Sequence, residues 1–230
     1  MTMHLTNLDR NAVDTTVIQL PTEHAPISIQ LYRNGLKRFL DVLLVLLAAP
    51  VVVPVVALLA LLIALNGGMP FYSQKRVGRD GKIFRIWKLR SMVCDADAQL
   101  ENYLTANPEA WLEWSSMQKL QNDPRITRLG RVLRKSSLDE LPQLLNVIWG
   151  SMSLVGPRPI MLEQAPIYDG TAYFKLRPGI TGPWQISDRN ACSFAGRVRY
   201  DEAYEQDLSL LYDLRILTRT VAVVLRGTGC

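Results

Sequence analysis

The sequence predicts a helix-rich α+β fold, a single membrane-associated domain with an N-terminal re-entrant helix-break-helix hairpin and a small antiparallel β element. Three observations predict it. Val42 to Leu65 carries no charged side chain and is interrupted by Pro50 and Pro54; basic residues stand on both sides of that run; and Phe71 to Lys88 has the composition of a short strand pair in an otherwise ordinary charged chain. A chain of 230 residues holds one sizeable core and an appendage, and is too short for two full enzyme domains. The expected divisions are an arm over 1–32, the membrane hairpin over 33–68 and a membrane-surface domain over 69–230.

The arm is rich in Thr, Asn and Pro without a sustained period, so it is assigned no chemistry. The apolar run starts too late and is too long for a simple signal peptide. As one unbroken helix it would extend roughly 36 Å, enough to cross a bilayer. Two features argue against crossing. Each proline removes a backbone donor and clashes with the preceding turn. The flanks are also both basic, with Arg33, Lys37 and Arg38 before the run and Lys75, Arg76, Arg79, Lys82, Arg85, Lys88 and Arg90 after it, so both ends favour the cytoplasmic side. A hairpin bent at the prolines satisfies both; a straight or kinked span is the alternative, since spanning helices tolerate proline. Lys37, Arg38, Asp41 and Pro50 are the predicted membrane anchor. Asp41 taken alone also reads as a solvated helix-end charge.

Gly78 and Gly81 around Arg79-Asp80 predict the turn of a β-hairpin within Phe71–Lys88. Ala96 to Leu120 has a helical pattern interrupted at Pro108, and its Trp111 and Trp114 suit either core anchors or headgroup depth. Leu208 to Leu225 reads as a last helix with an apolar stripe through Leu211, Leu214 and Leu217. Cys94, Cys192 and Cys230, with His4 and His24, do not fit a structural zinc site and read as free thiols. A net charge of +5 favours anionic partners without choosing among nucleic acid, lipid headgroups and phosphorylated substrates.

The chemistry concentrates in Arg134-Lys135-Ser136-Ser137-Leu138-Asp139-Glu140-Leu141-Pro142-Gln143-Leu144. Ser137-x-x-Glu140 matches a capping box, a purely structural role. Pro142 sits poorly inside such a helix, so the helix is also open to a later start that leaves the acids exposed at its mouth. There, among Arg125, Arg128, Arg131, Arg134 and Lys135, a carboxylate is placed to meet phosphate and a divalent cation, and to attack phosphorus. Val155-Gly156-Pro157-Arg158-Pro159 holds an arginine between two prolines, a geometry suited to bidentate phosphate recognition. Arg177-Pro178-Gly179-Ile180-Thr181-Gly182, then Gln185 and Arg189-Asn190, forms a turn-rich third unit.

These motifs resemble those of the monotopic phosphoglycosyl transferases, bacterial sugar transferases that begin capsule, exopolysaccharide and glycan assembly. The similarity runs from about Lys37 to the end: Lys37-Arg38-Phe39-Leu40-Asp41 and Pro50 resemble the re-entrant helix, Lys135 to Gln143 the catalytic dyad, and the two downstream units the remaining family motifs. The resemblance implies that Asp139 attacks the sugar-proximal phosphorus of a UDP-sugar, releases UMP and carries the phosphosugar to undecaprenyl phosphate. Glu140 assists, Mg²⁺ bridges Asp139 and the diphosphate, and Arg134, Arg158, Arg177, Gln185, Arg189 and Asn190 bind phosphate and substrate. It further implies the cytoplasmic face of a bacterial inner membrane, membrane lipids as surroundings, downstream glycosyltransferases as candidate partners and no nucleic acid; a homodimer is left open. Gly182-Pro183-Trp184-Gln185 and Ser187-Asp188-Arg189-Asn190 depart from the usual pattern near the donor pocket. The Leu138 to Asn146 run resembles galactose 1-phosphate transferases of exopolysaccharide synthesis, so galactose is the first expectation and glucose the second. A non-catalytic membrane scaffold, in which the acids only cap a helix, is the competing reading.

Overall fold

The computed structural model describes residues 31–117, 120–187, 194 and 196–225, so residues 1–30 of the arm, Arg189 and Asn190 lie outside the described residues. After a π-helical turn at Tyr32–Leu36, helix α1 runs over Lys37–Leu65 with Pro50 and Pro54 inside it. The expected division into two helices is not seen. A proline removes one bond from a helix, but its fixed φ is itself helical, and the flanking Leu, Ala and Val residues keep the backbone in register through both sites. The helix is long and apolar enough to cross a membrane by length and composition, and its side chains point largely outward, with Leu47 68%, Val51 71% and Leu65 74% exposed. A helix of this character leaves unburied an apolar surface worth about 25 cal/mol per Å².

Only the two limbs of α1 are packed. Val45 belongs to a cluster with Ile86, Val147 and Met152, and Ile63 to one with Leu89 and Leu133. The N-terminal limb is also fixed by polar contacts. Asp213, 4% exposed, accepts from Tyr32 and Tyr204 hydroxyls at 2.6 Å each and pairs with Lys37, whose ammonium lies 5.9 Å from both ring centroids. Arg38 donates to the carbonyls of Val147 and Ile148, and Asp41 accepts from the Ser153 hydroxyl (2.7 Å) and the Leu154 amide (3.2 Å). Asp41 is therefore buried rather than solvated.

Strands β1 (Phe71–Val77) and β2 (Ile83–Leu89) form the expected antiparallel hairpin, in register from Phe71↔Leu89 to Val77↔Ile83, and Asp80 takes a positive φ of 57° in its turn. Helices α2 (Ala96–Ala106) and α3 (Pro108–Met117) divide at Pro108 as expected. Trp111 is 55% exposed and is no core anchor. Helix α4 (Arg128–Lys135) starts where the Thr127 hydroxyl accepts from the Gly130 amide at 2.9 Å, a cap worth about 1 kcal/mol. Helix α5 (Gln143–Trp149) docks on β2 through Asn146, whose buried side chain donates to the Arg85 carbonyl (2.7 Å) and accepts from the Trp87 amide (3.2 Å). That amide replaces a neighbouring strand and fixes the hairpin against the acidic segment.

Strand β3 (Ser153–Val155) pairs in parallel with β4 (Gly179–Thr181), separated in sequence by a 3₁₀ segment at Leu162–Ile167 and by α6 (Ala172–Lys175). Here the two Gly/Pro motifs touch backbone to backbone: a Cβ on Gly179 would lie 2.1 Å from the Gly156 nitrogen, and one on Gly156 would lie 2.3 Å from the Arg177 carbonyl oxygen. Gly179→Ala is expected to destabilise the fold by about 3 kcal/mol, the upper range of overpacking, read as a lowered melting temperature.

Helices α7 (Pro183–Ile186), α8 (Arg197–Gln206) and α9 (Leu210–Leu225) follow. Of the stripe expected on the last helix, Leu217 packs against the core cluster of Tyr204, Leu208 and Ile216, and the other two members do not. Leu211 is 79% and Leu214 45% exposed, whereas Asp213 and Ile216 face the core. The buried face looked polar in sequence because a carboxylate lies on it, and that carboxylate is satisfied by residues far away in the chain.

On α8, burial pushes the Asp201 carboxyl up to about 6, against the opposing hydrogen bond from Tyr168 (2.6 Å) and the nearby Arg197 charge. An acid with a folded pKa above its unfolded value of about 3.9 holds its proton more tightly when folded, so its contribution is complete below about pH 4 and lost as pH rises through about 6. Thermal unfolding is expected to lose on the order of 3 kcal/mol from this group over that window. The Asp201→Asn variant is expected to lack that slope.

Candidate active site

Asp139 and Glu140 lie in a short 3₁₀ turn, Leu138–Glu140, between α4 and α5. The preceding Ser137 is left-handed at φ 56°, ψ 19°, a conformation costing roughly 1–3 kcal/mol in a non-glycine residue, and makes no side-chain capping bond. The capping-box reading therefore fails. Glu140 reaches instead to Lys88 on β2, with Nζ at 2.7 Å, and Arg158 approaches the same carboxylate oxygen at 3.9 Å. The helix does start later, at Gln143 behind Pro142, but Asp139 does not stand open at its mouth: it is 7% exposed, whereas Glu140 is half-buried.

Burial raises the Asp139 carboxyl above the ordinary aspartate range; Lys88 and Arg134 pull it back, and Glu140 pushes it up. Arg134, itself largely buried, is held by its Nε donating to the Ser91 hydroxyl at 2.9 Å. The local chemistry is thus a desolvated carboxylate, a second carboxylate fixed by a lysine, and cations from β2, α4 and the Pro157-Arg158-Pro159 loop. Glu140 and Arg158 open on a cleft of about 230 Å³, with Ser137, Thr181, Gln185 and Thr220 among its other walls. A larger open depression of about 630 Å³ between α2 and α3, lined by Leu104, Trp111 and Leu112 with Glu101 as its charged residue, lacks the cations that phosphate needs.

The predicted site residues separate into groups. Asp139, Glu140, Arg134, Arg158 and Gln185 come together around the turn and its cleft. Arg177 is engaged elsewhere, its Nε donating to the Gly150 carbonyl at 3.1 Å; with Arg38 it neutralises the C-terminal carbonyls of α5. Lys37, Arg38 and Asp41 bond to the body, and Pro50 lies exposed within α1. Arg125 is turned away, 6% exposed, bonded to Asp123 at 2.6 and 2.8 Å and stacked 5.5 Å from Trp114. Lys88 was legible only as a flanking charge, since nothing near it in sequence shows the partner 52 residues on.

A buried acid beside a second acid, ringed by cations and set on a body with one long apolar helix, defines a phosphate-handling protein with a lipid-compatible element. The chain belongs to the bacterial sugar transferase family, whose sequence model matches residues 32–227, and it is a transferase. It is 46% identical over 196 residues to the exopolysaccharide production protein ExoY of Sinorhizobium fredii, covering 84% of this chain and 87% of that one. Against the undecaprenyl-phosphate galactose phosphotransferase of Salmonella typhimurium identity is 43%, covering 84% of this chain and 41% of the relative. The UDP-glucose:undecaprenyl-phosphate glucose-1-phosphate transferase of Escherichia coli is 36% identical, covering 81% and 39%.

Proposed function

We propose that the protein transfers a hexose 1-phosphate, galactose 1-phosphate first, from a UDP-sugar to undecaprenyl phosphate at the cytoplasmic face of a bacterial inner membrane, as the first membrane step of exopolysaccharide synthesis. The observation that carries this reading is the desolvated Asp139 under the charges of Lys88 and Arg134, beside a Glu140 that Lys88 and Arg158 approach. An Asp139 oxygen attacks the phosphorus attached to the sugar, the bond from that phosphorus to the bridging oxygen breaks, and UMP leaves. A phosphate oxygen of undecaprenyl phosphate then attacks the same phosphorus, displacing Asp139 as a free carboxylate and giving the lipid diphosphosugar. Arg158, braced between prolines, binds the phosphate oxygens as charge moves across them.

Among the described residues no cluster of three or more metal-ligating side chains occurs. Two adjacent carboxylates are nevertheless the protein share that Mg²⁺ takes when substrate phosphates complete its shell, so Asp139 and Glu140 fit it. Bound there, Mg²⁺ would neutralise diphosphate charge that repels an incoming carboxylate.

The re-entrant reading of α1 is supported by its packing. Val45 and Ile63 would stand roughly 27 Å apart on a straight helix, yet their clusters include Ile86 and Leu89, which roughly 10 Å of one strand separates. A bend at Pro50 and Pro54 lets both limbs reach one body while the exposed middle enters lipid. The site then sits at headgroup depth, where the acceptor phosphate lies.

The test is to incubate purified protein with Mg²⁺, undecaprenyl phosphate and radiolabelled UDP-galactose, UDP-glucose or other UDP-sugars. UMP and a lipid-linked product are expected, most with galactose. No product with any donor defeats the transferase reading.

A further inference from the structure

Gln185 has a side-chain environment that the rest of the fold does not explain. It is 7% exposed, yet neither its Oε1 nor its Nε2 has a hydrogen-bond partner. A buried amide left unpaired costs roughly 1–3 kcal/mol, so native folds seldom keep one without a use. Its location supplies the use, because Gln185 lines the same cleft as Glu140 and Arg158.

The side chain is also held firmly. It stands on the short helix α7, entered through Gly182, where an added Cβ would lie 2.1 Å from the Gly156 carbonyl oxygen. The adjacent Trp184 is covered by the Arg197 guanidinium at 4.1 Å, with Arg158 at 5.9 Å from the same ring. Among the other polar wall residues, Thr181 and Thr220 satisfy each other at 2.7 Å and the Ser136 hydroxyl donates to the Val132 carbonyl at 2.8 Å. Gln185 is thus a preorganised, buried polar group of that wall with both a donor and an acceptor still to pair.

We propose that Gln185 is a specificity-determining residue that reads a hydroxyl of the transferred sugar. This rests on the transferase reading above. A hydroxyl both donates and accepts, which matches an amide offering both functions. The sugar is joined directly to the phosphorus that Asp139 attacks, so when Arg158 engages the phosphates the sugar ring is the nearest hydroxyl-bearing part of the donor. Ile180 and Ile186 supply apolar walls, which cannot themselves distinguish sugar epimers.

The test compares full-length wild type with Gln185→Met, which keeps length and volume but loses both hydrogen-bonding atoms. Each is assayed with the preferred UDP-sugar and its monodeoxy derivatives, by kcat/KM for UMP release in the presence of undecaprenyl phosphate. Wild type is expected to lose at least about 100-fold on one deoxy position. Gln185→Met is expected to treat parent and that analogue alike, within about threefold, which is the coupling signature of a direct contact. Without donor, its melting temperature is expected to equal or exceed that of wild type, because no internal bond is lost. Gln185→Glu, which keeps the acceptor and loses the donor, provides the same comparison should the Met variant fold poorly. Discrimination unchanged in the variants, or a uniform loss over all donors, overturns the proposal while leaving the transferase intact. A wild type that turns over no UDP-sugar overturns both.

Discussion

Asp139→Asn is expected to lose UMP release and lipid-product formation by about 10⁴-fold or more, the scale seen when a covalent nucleophile is removed. The variant keeps the shape of a side chain that is 7% exposed, so the loss cannot be assigned to a rebuilt turn. It also removes a desolvated charge, since burial holds that carboxyl above its ordinary range. The Asn protein is therefore expected to melt no lower than wild type, a division of stability from activity common at catalytic carboxylates. A scaffold whose acids merely shaped a turn would behave differently, retaining its role in assembly. Mass analysis of wild type quenched with donor but no acceptor is expected to find a phosphosugar on Asp139. Full turnover by the Asn variant would refute the covalent route outright.

The second large effect is structural and far from the cleft. Asp213→Ala is expected to destabilise the protein by roughly 3–5 kcal/mol, because it strands the Lys37 ammonium and leaves the Tyr32 hydroxyl without its acceptor in a buried setting, while the Tyr204 hydroxyl falls back on the Val155 carbonyl at 3.2 Å. The side chains involved join α1 to α9 and to α8. Asp213→Asn can still accept one of these hydrogen bonds and is expected to lose less. Chemical or thermal unfolding of both variants in the same lipid or detergent would rank them. Equal stability of wild type and Asp213→Ala would mean that the pairing contributes nothing net.

Local signals in the sequence were sufficient for the hairpin at Arg79–Gly81, the division at Pro108 and the delayed start of α5 behind Pro142, since glycine and proline act on the backbone at their own positions. The acidic pair was legible by motif, but not its burial, which comes from packing between segments. Lys88, Asn146 and Asp213 were invisible as structural or site residues because their partners lie between 9 and 181 positions away. The arginines show the same limit from the other side: Arg134, Arg158 and Arg177 read alike, yet Arg177 is committed to the end of α5. At Pro50 the sequence marks where a bend is to be looked for, but not that the helix would continue through it as one element.

The contact between Gly156 and Gly179 bears on how the proposed two-step transfer would proceed. Arg158 follows one glycine by two positions and Gln185 follows the other by six, and there is no room for even one more carbon between their backbones. The two loops are packed backbone to backbone, so neither shifts without the other. On the proposed two-step route, nucleotide and lipid would exchange past a wall that moves as one piece, with Glu140 tied to both banks, to Lys88 at 2.7 Å and to Arg158 at 3.9 Å.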